Sequence, residues 1–234
     1  MININKIFKK KTTNDIHGTN NKIILKDDIK ETEIDTYNGI FIKINGNNNT
    51  VIIHKGLIAK DINISLLNDN CRIEIFPSPW FSNVNIVCVN GNGQYVTIGE
   101  NTSFAPFDRV QITVDDSNKV DIGADCIFSI HVDIWATDGH AIFDINTNEV
   151  INKQKHPLKI GNHCWIGESC KITKNSVIPD NCIVGIASVV TKAFTKTNCI
   201  IAGNPATIKK DGINWVRSST YKYKDIYNKL GDKE

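Results

Sequence analysis

Long apolar runs are missing from this 234-residue chain: no window approaches the roughly 20 apolar residues that a spanning helix needs. No membrane span is therefore expected. An excess of one charge is missing too. Lysine and arginine number 27 against 25 aspartates and glutamates, a formal net charge of +2, so the chain lacks the basic footprint of a nucleic-acid partner. Residues Met1 to Thr13 carry lysines but no apolar core of leader length, which predicts a cytoplasmic protein. The seven cysteines form no C-x-x-C pair and stand at no common zinc-ligand spacing with histidine, so neither metal nor a disulfide framework is expected. Small buried core residues in a reducing compartment are the simpler reading.

What the chain does have is a repeat. From residue 160 to 195 it divides without a gap into six hexapeptides: Ile160–Trp165, Ile166–Lys171, Ile172–Val177, Ile178–Ile183, Val184–Val189 and Val190–Thr195. Every first position is Ile or Val. The fifth positions, Cys164, Cys170, Ser176, Cys182, Ser188 and Phe194, are small in all but the last. A six-residue period does not keep one face of a 3.6-residue helix buried. It fits a short strand plus a turn, with the aliphatic residue inward and the turn at the glycine or other turn-compatible residue that follows it. Three units close a triangular coil, and stacked coils form parallel strands about 4.8 Å apart. Ile160 should then lie under Ile178, and Cys164 under Cys182.

The same six-residue period returns upstream at Ile98, Phe104, Val110, Ile122, Phe128 and Ile134, broken by Asp116. Further back, aliphatic pairs recur every nine to twelve residues (Ile42/Ile44, Val51/Ile53, Ile62/Ile64, Ile73/Ile75, Val84/Ile86, Val96/Ile98), separated by Asn- and Gly-rich turns. These predict irregular N-terminal coils. The expected division is an N-terminal segment over 1–36, one solenoid domain over 37–206, and a tail over 207–234 in which Trp215, Tyr221, Tyr223 and Tyr227 pack on the coil or on a neighbouring subunit. The repeat stops only between 136 and 159. A long interruption in a regular stack reads as a loop projecting from one corner, where function tends to concentrate.

Three segments carry a family likeness: Thr137-Asp138-Gly139-His140-Ala141-Ile142, Ile160-Gly161-Asn162-His163-Cys164-Trp165-Ile166-Gly167, and Ile201-Ala202-Gly203-Asn204-Pro205-Ala206. Together with the hexapeptides they resemble the hexapeptide-repeat acyltransferase superfamily, and within it the polysialic acid and capsular polysaccharide O-acetyltransferases. The resemblance covers roughly residues 98 to 227. It implies an all-β, left-handed parallel β-helix, a homotrimer, and acetyl-CoA bound between subunits. Handedness is not readable from the repeat, and the general rule for parallel crossovers would favour the opposite hand.

Acetyl transfer from a thioester to an alcohol needs a proton acceptor, stabilisation of the oxyanion, and two reactants held together. His140 matches the family's catalytic histidine, and a neutral imidazole suits proton abstraction near pH 7. Asp138 or Asp144 either fixes its tautomer or serves as a turn residue. Trp165, at an outward sixth position, matches the tryptophan that family members place beside the thioester; packing against a neighbouring subunit is the plainer alternative. By resemblance, Gly185, Ala187 and Ser188 line the pantetheine path, and Lys192, Lys209 and Lys210 lie toward the nucleotide phosphates. Cys164 and Cys170 should face inward, which favours direct attack over an acyl-cysteine intermediate. For an anionic polysaccharide acceptor such as polysialic acid, Arg109, Lys153, Lys155 and Lys159 are available; a neutral glycan or smaller sugar fits as well. Association with membrane-bound glycan synthesis machinery stays open.

Two other readings compete. An N-acetyltransferase of an amino sugar or another small acceptor would usually bring an N-terminal Rossmann-like or helical domain, and residues 1–97 show neither a glycine-rich phosphate motif nor helical periodicity. A non-enzymatic β-solenoid scaffold would not need the histidine loop. A metal site shared by His131, His156 and His163 fits the spacing poorly.

Overall fold

In the computed structural model, which describes residues 13–219 and 222, every named element is a β-strand. Met1 to Thr12 and Tyr221, Tyr223 and Tyr227 lie outside the described residues. Each hexapeptide contributes one short strand, and successive hexapeptides turn onto successive faces. Leu158–Ile160, Trp165–Ile166 and Lys171–Thr173 belong to three different sheets; Val177–Ile178, Ile183–Val184 and Val189–Val190 repeat that order one level along. The register pairs Ile160 with Ile178, Ile166 with Val184, and Ile172 with Val190. Wall neighbours are thus three hexapeptides apart, and all six first-position side chains are 0% exposed. Cys164 sits beneath Cys182, whose carbonyl accepts the Trp165 amide at 2.9 Å.

The corners differ from the expectation in one respect. The left-handed residue that turns the chain is at the fourth position of the hexapeptide and not at the second. His163, Ser169, Asn175, Asn181 and Ala187 have φ between 52° and 63°. The glycines at the second position answer to a different demand, namely space: a Cβ on Gly161 would stand 2.3 Å from the Asp180 carboxylate and 2.7 Å from its amide nitrogen. Upstream, the left-handed corners go to residues that tolerate them more readily. Asn48, Asn70, Asn83, Asn101 and Asp125 have φ of 53–60°, with Ser117 and His131, both at 58°, as exceptions.

The paired aliphatics of the N-terminal half line the same interior, buried throughout. Their coils are longer, with wall neighbours 22 residues apart at Ile40↔Ile62 and 28 at Lys22↔Thr50. The sheets begin upstream of residue 37, because Asp15–His17 pairs with Ile40–Asn45 and Lys22–Lys26 with Thr50–His54. At the other end, Ala206–Asp211 folds back antiparallel on Cys199–Gly203 and covers the last edge of the third face. Phe81, Phe104 and Phe128 lie in successive strands and point inward, Phe81 edge-on to Phe104 at a centroid distance of 4.9 Å and Phe104 stacked on Phe128 at 4.7 Å. All seven cysteines are buried and free, as their repeat positions predict. Burial raises the Cys170 thiol and pushes Cys182 up to about 12; Cys164 is raised by its bond to Cys126 and by burial, which keeps it a thiol.

Candidate active site

The chain leaves the wall after Asp133–Ala136 on the first face and re-enters at Leu158–Ile160 on the second, close to the bounds of the predicted interruption. Between them it forms a hairpin, closed by an antiparallel bridge of Phe143 with Val150 and by a bond from the Ile151 amide to the Ile142 carbonyl. The ladder resumes beyond it: Asp133 pairs with Lys171 although 38 residues separate them. Excursion and wall are therefore independent at the level of backbone pairing.

His140 stands at the ascending root of this hairpin. Its imidazole is exposed and has no hydrogen-bond partner among the described residues. The preceding Gly139 has φ +74° with nothing within 4 Å of a built Cβ, so backbone conformation and not crowding selects glycine there. His140 opens onto a cleft of about 950 Å³ between the hairpin and the neighbouring corner. Lys119, Lys153, Lys155, Lys174 and His156 bring basic character to its lining, which they share with Asp115, Asp116 and Asp138.

Neither candidate carboxylate touches the imidazole. Asp144 accepts the amides of Asn146 and Thr147 at 2.8 and 3.1 Å, which lowers its pKa and makes it the turn residue of the hairpin tip. Asp138 accepts Nδ2 of Asn152 at 2.7 Å and Nζ of Lys174 at 2.6 Å. Burial pushes the Asp138 carboxyl up, but these two bonds outweigh it and the net shift is downward. Lys153 and Lys155 line the cleft. Arg109 does not; its guanidinium bonds Gln111 at 2.9 Å and faces Asp133 on the first face.

Trp165 lies elsewhere. It is half-exposed on the third face and lines a hollow of about 400 Å³ with Trp80, Phe104 and Arg217. His163, beside it, is a docking post for the tail. Its Nδ1 is 2.6 Å from the Asp125 carboxylate, its Nε2 is 3.0 Å from the Trp215 carbonyl, and its ring stacks on Trp215 at 4.2 Å. Arg217 completes the latch by donating to Asp125, Ser103, and the Asn101 and Cys126 carbonyls at 2.7–3.1 Å. Burial raises the Asp125 carboxyl, but His163 and Arg217 reverse this and hold it below its usual value.

At the proposed donor corner, Ala187 is exposed and Gly185 half-buried. The Ser188 hydroxyl is internal: it donates to the Gly185 carbonyl at 2.6 Å and accepts the Gly203 amide at 3.1 Å. Lys192 lies 5.4 Å above the Phe194 ring, and Lys209 and Lys210 project from the Ala206–Asp211 strand. His131 pairs with Asp108 at 2.8 Å and His156 with the Pro157 carbonyl at 3.1 Å, so the three secondary histidines have separate partners. Among the described residues no group of three or more His, Cys, Asp or Glu side chains is arranged for a metal.

No family model matches the chain. Curated relatives do. A polysialic acid O-acetyltransferase of Neisseria meningitidis is 34% identical over 180 residues, spanning 77% of this chain and 81% of that protein. The chain belongs to the polysialic acid O-acetyltransferase family. A second family member, from Escherichia coli O1:K1, is 35% identical over 126 residues, which is 54% of this chain but only 39% of that protein's length. Among solved structures, the polySia-specific acetyltransferase NeuO superposes with a TM-score of 0.72 at 28% identity, covering 93% of this chain and 98% of that one. The polysialic acid O-acetyltransferase OatWY gives 0.66 at 27% identity, covering 93% and 100%. With these matches the fold is a left-handed parallel β-helix, as the family resemblance implied.

Within this O-acetyltransferase family member, sequence reasoning missed Asn152, Lys174, Asp125 and Arg217. The last two had a legible hint, since Trp215 marked the tail as a docking segment. Asn152 and Lys174 had none.

Proposed function

We propose that the protein transfers acetyl from acetyl-CoA to a hydroxyl of a bacterial surface or capsular polysaccharide built of acidic sugars, with polysialic acid as the leading acceptor. The observation that carries this reading is His140 standing unpartnered, among the described residues, at the mouth of a large cleft lined by Lys119, Lys153 and Lys155. A free imidazole there can accept a hydroxyl proton as the oxygen attacks the thioester carbonyl, then return it to the departing thiolate of coenzyme A. The cysteines offer no competing nucleophile, because each is buried. Direct attack in a ternary complex follows.

Trp165 and His140 line different hollows of one chain. A reaction centre that uses both is completed between copies, which supports a threefold assembly with the donor running between subunits. In that assembly the backbone of Gly185 and Ala187 borders the pantetheine, and Lys192, Lys209 and Lys210 supply charge toward the phosphates. Ser188 acts as a brace for that corner, since its hydroxyl is spent inside the coil.

The test is thiol release from acetyl-CoA against a panel of acidic and neutral glycans and amino sugars. Turnover with polysialic acid and not with amines is expected; turnover with amines alone would overturn the O-acetyl reading. His140→Ala should lower the rate at least about 100-fold with the melting temperature unchanged. An active variant would remove His140 as the base.

A further inference from the structure

The side chain of His140 has no partner among the described residues, yet a general base must be held to within a fraction of an ångström of its working position. Its backbone supplies the constraint. The carboxamide of Asn152, on the returning arm of the hairpin, donates from Nδ2 to the His140 carbonyl at 2.9 Å and to the Asp138 carboxylate at 2.7 Å. Its Oδ1 accepts the Ile142 amide at 2.8 Å. One side chain therefore grips positions 138, 140 and 142, the base and the residues on either side of it.

Asn152 is itself fixed from the wall. Lys174, the third residue of the Ile172–Val177 hexapeptide, is nearly buried, with a side chain only 9% exposed. Its Nζ bonds both the Asp138 carboxylate and the Asn152 backbone carbonyl. Lys174 ties both arms of the hairpin root to the next coil. A lysine so buried is rare without a partner of opposite charge, and Asp138 provides it.

We infer that Asn152 and Lys174 are positioning residues for His140, acting through Asp138 and the backbone of 138–142. The inference rests on His140 being the base. It reassigns Asp138: the carboxylate organises the loop and does not select the imidazole tautomer.

The experiment uses the full chain with acetyl-CoA and polysialic acid as probes, and His140→Ala as reference. Asn152→Ala and Lys174→Met should each lower kcat roughly 10- to 100-fold while KM for acetyl-CoA stays within about twofold. Lys174→Arg should recover most of the Lys174→Met loss. Asn152→Asp sets two carboxylates against each other, and the exchange Asp138→Asn/Asn152→Asp restores their hydrogen bond, so the double variant should outperform Asn152→Asp alone. Hydrogen exchange adds a readout independent of turnover: the Ile142 amide should lose protection in Asn152→Ala. Full kcat in Asn152→Ala beside an inactive His140→Ala would overturn the positioning role and leave the base assigned. Full kcat in His140→Ala would instead remove the base. A loss confined to melting temperature, with activity per folded molecule unchanged, would reduce the pair to scaffold.

Discussion

The wall from 160 to 195 and the hairpin from 137 to 157 sit side by side in one chain and are stabilised by different means. In the wall, each interior side chain has a counterpart above or below it, as Ile160 has Ile178 and Ile166 has Val184. Its stability comes from burial summed over many equivalent contacts. The hairpin leaves Ile142, Phe143, Ile145 and Ile151 exposed and is held at its root by a few polar bonds, each made once. Redundant apolar packing makes a rigid frame, and single directional bonds fix the hairpin root that the frame carries.

Deleting a wall side chain should expose that contrast most strongly. Ile172→Ala removes a fully buried side chain from the stack, and a loss of about 2–5 kcal/mol in denaturant unfolding is expected. A loss under about 1 kcal/mol would show that the wall is far looser than its register implies. Two glycines give a finer comparison. Gly161→Ala drives a methyl into the Asp180 backbone, so roughly 1–3 kcal/mol should be lost by overpacking. Gly139→Ala meets no atom and carries only the penalty of φ +74°, about 1 kcal/mol, and its main effect should be on kcat. Equal melting shifts for the two would erase the distinction.

Acidification should act last and most gently. Asp138 at the hairpin root and Asp125 at the tail latch both have native pKa values below the ordinary carboxylate range. Their stabilisation is complete above about pH 4, the unfolded value, and fades as pH falls through the lowered native values. Tryptophan emission reporting Trp215, and exchange of the 138–142 amides, should change on lowering the pH toward about 3 while wall amides stay protected. Simultaneous release of wall and hairpin would break the comparison.

How much of this was legible in the sequence follows the same divide. The wall could be read because its period gives each first-position residue one role: Ile160, Ile166, Ile172, Ile178, Val184 and Val190 belong to the interior, and they occupy it. The corners were misplaced by two positions, because glycine at 161, 167 and 185 signals a turn by habit, while the left-handed residues include Ser169 and Ala187, which announce nothing. His140 was legible only as a candidate, through the motif around it. Its support was not: Lys174 reads as an ordinary third-position residue, and only the stacking of the next coil brings it to Asp138. Likewise Arg217 and Asp125 meet across 92 positions through a tail with no period of its own.

The ladder that skips from Asp133 to Lys171 has a consequence for how such proteins diversify. Because both ends of the excursion rejoin strands that would stack without it, the segment behaves as a cassette. Lengthening it adds only a slowly growing loop entropy, and replacing it leaves the rest of the scaffold to fold as before. A different segment can therefore be grafted at this corner, provided that it keeps a carboxylate for Lys174.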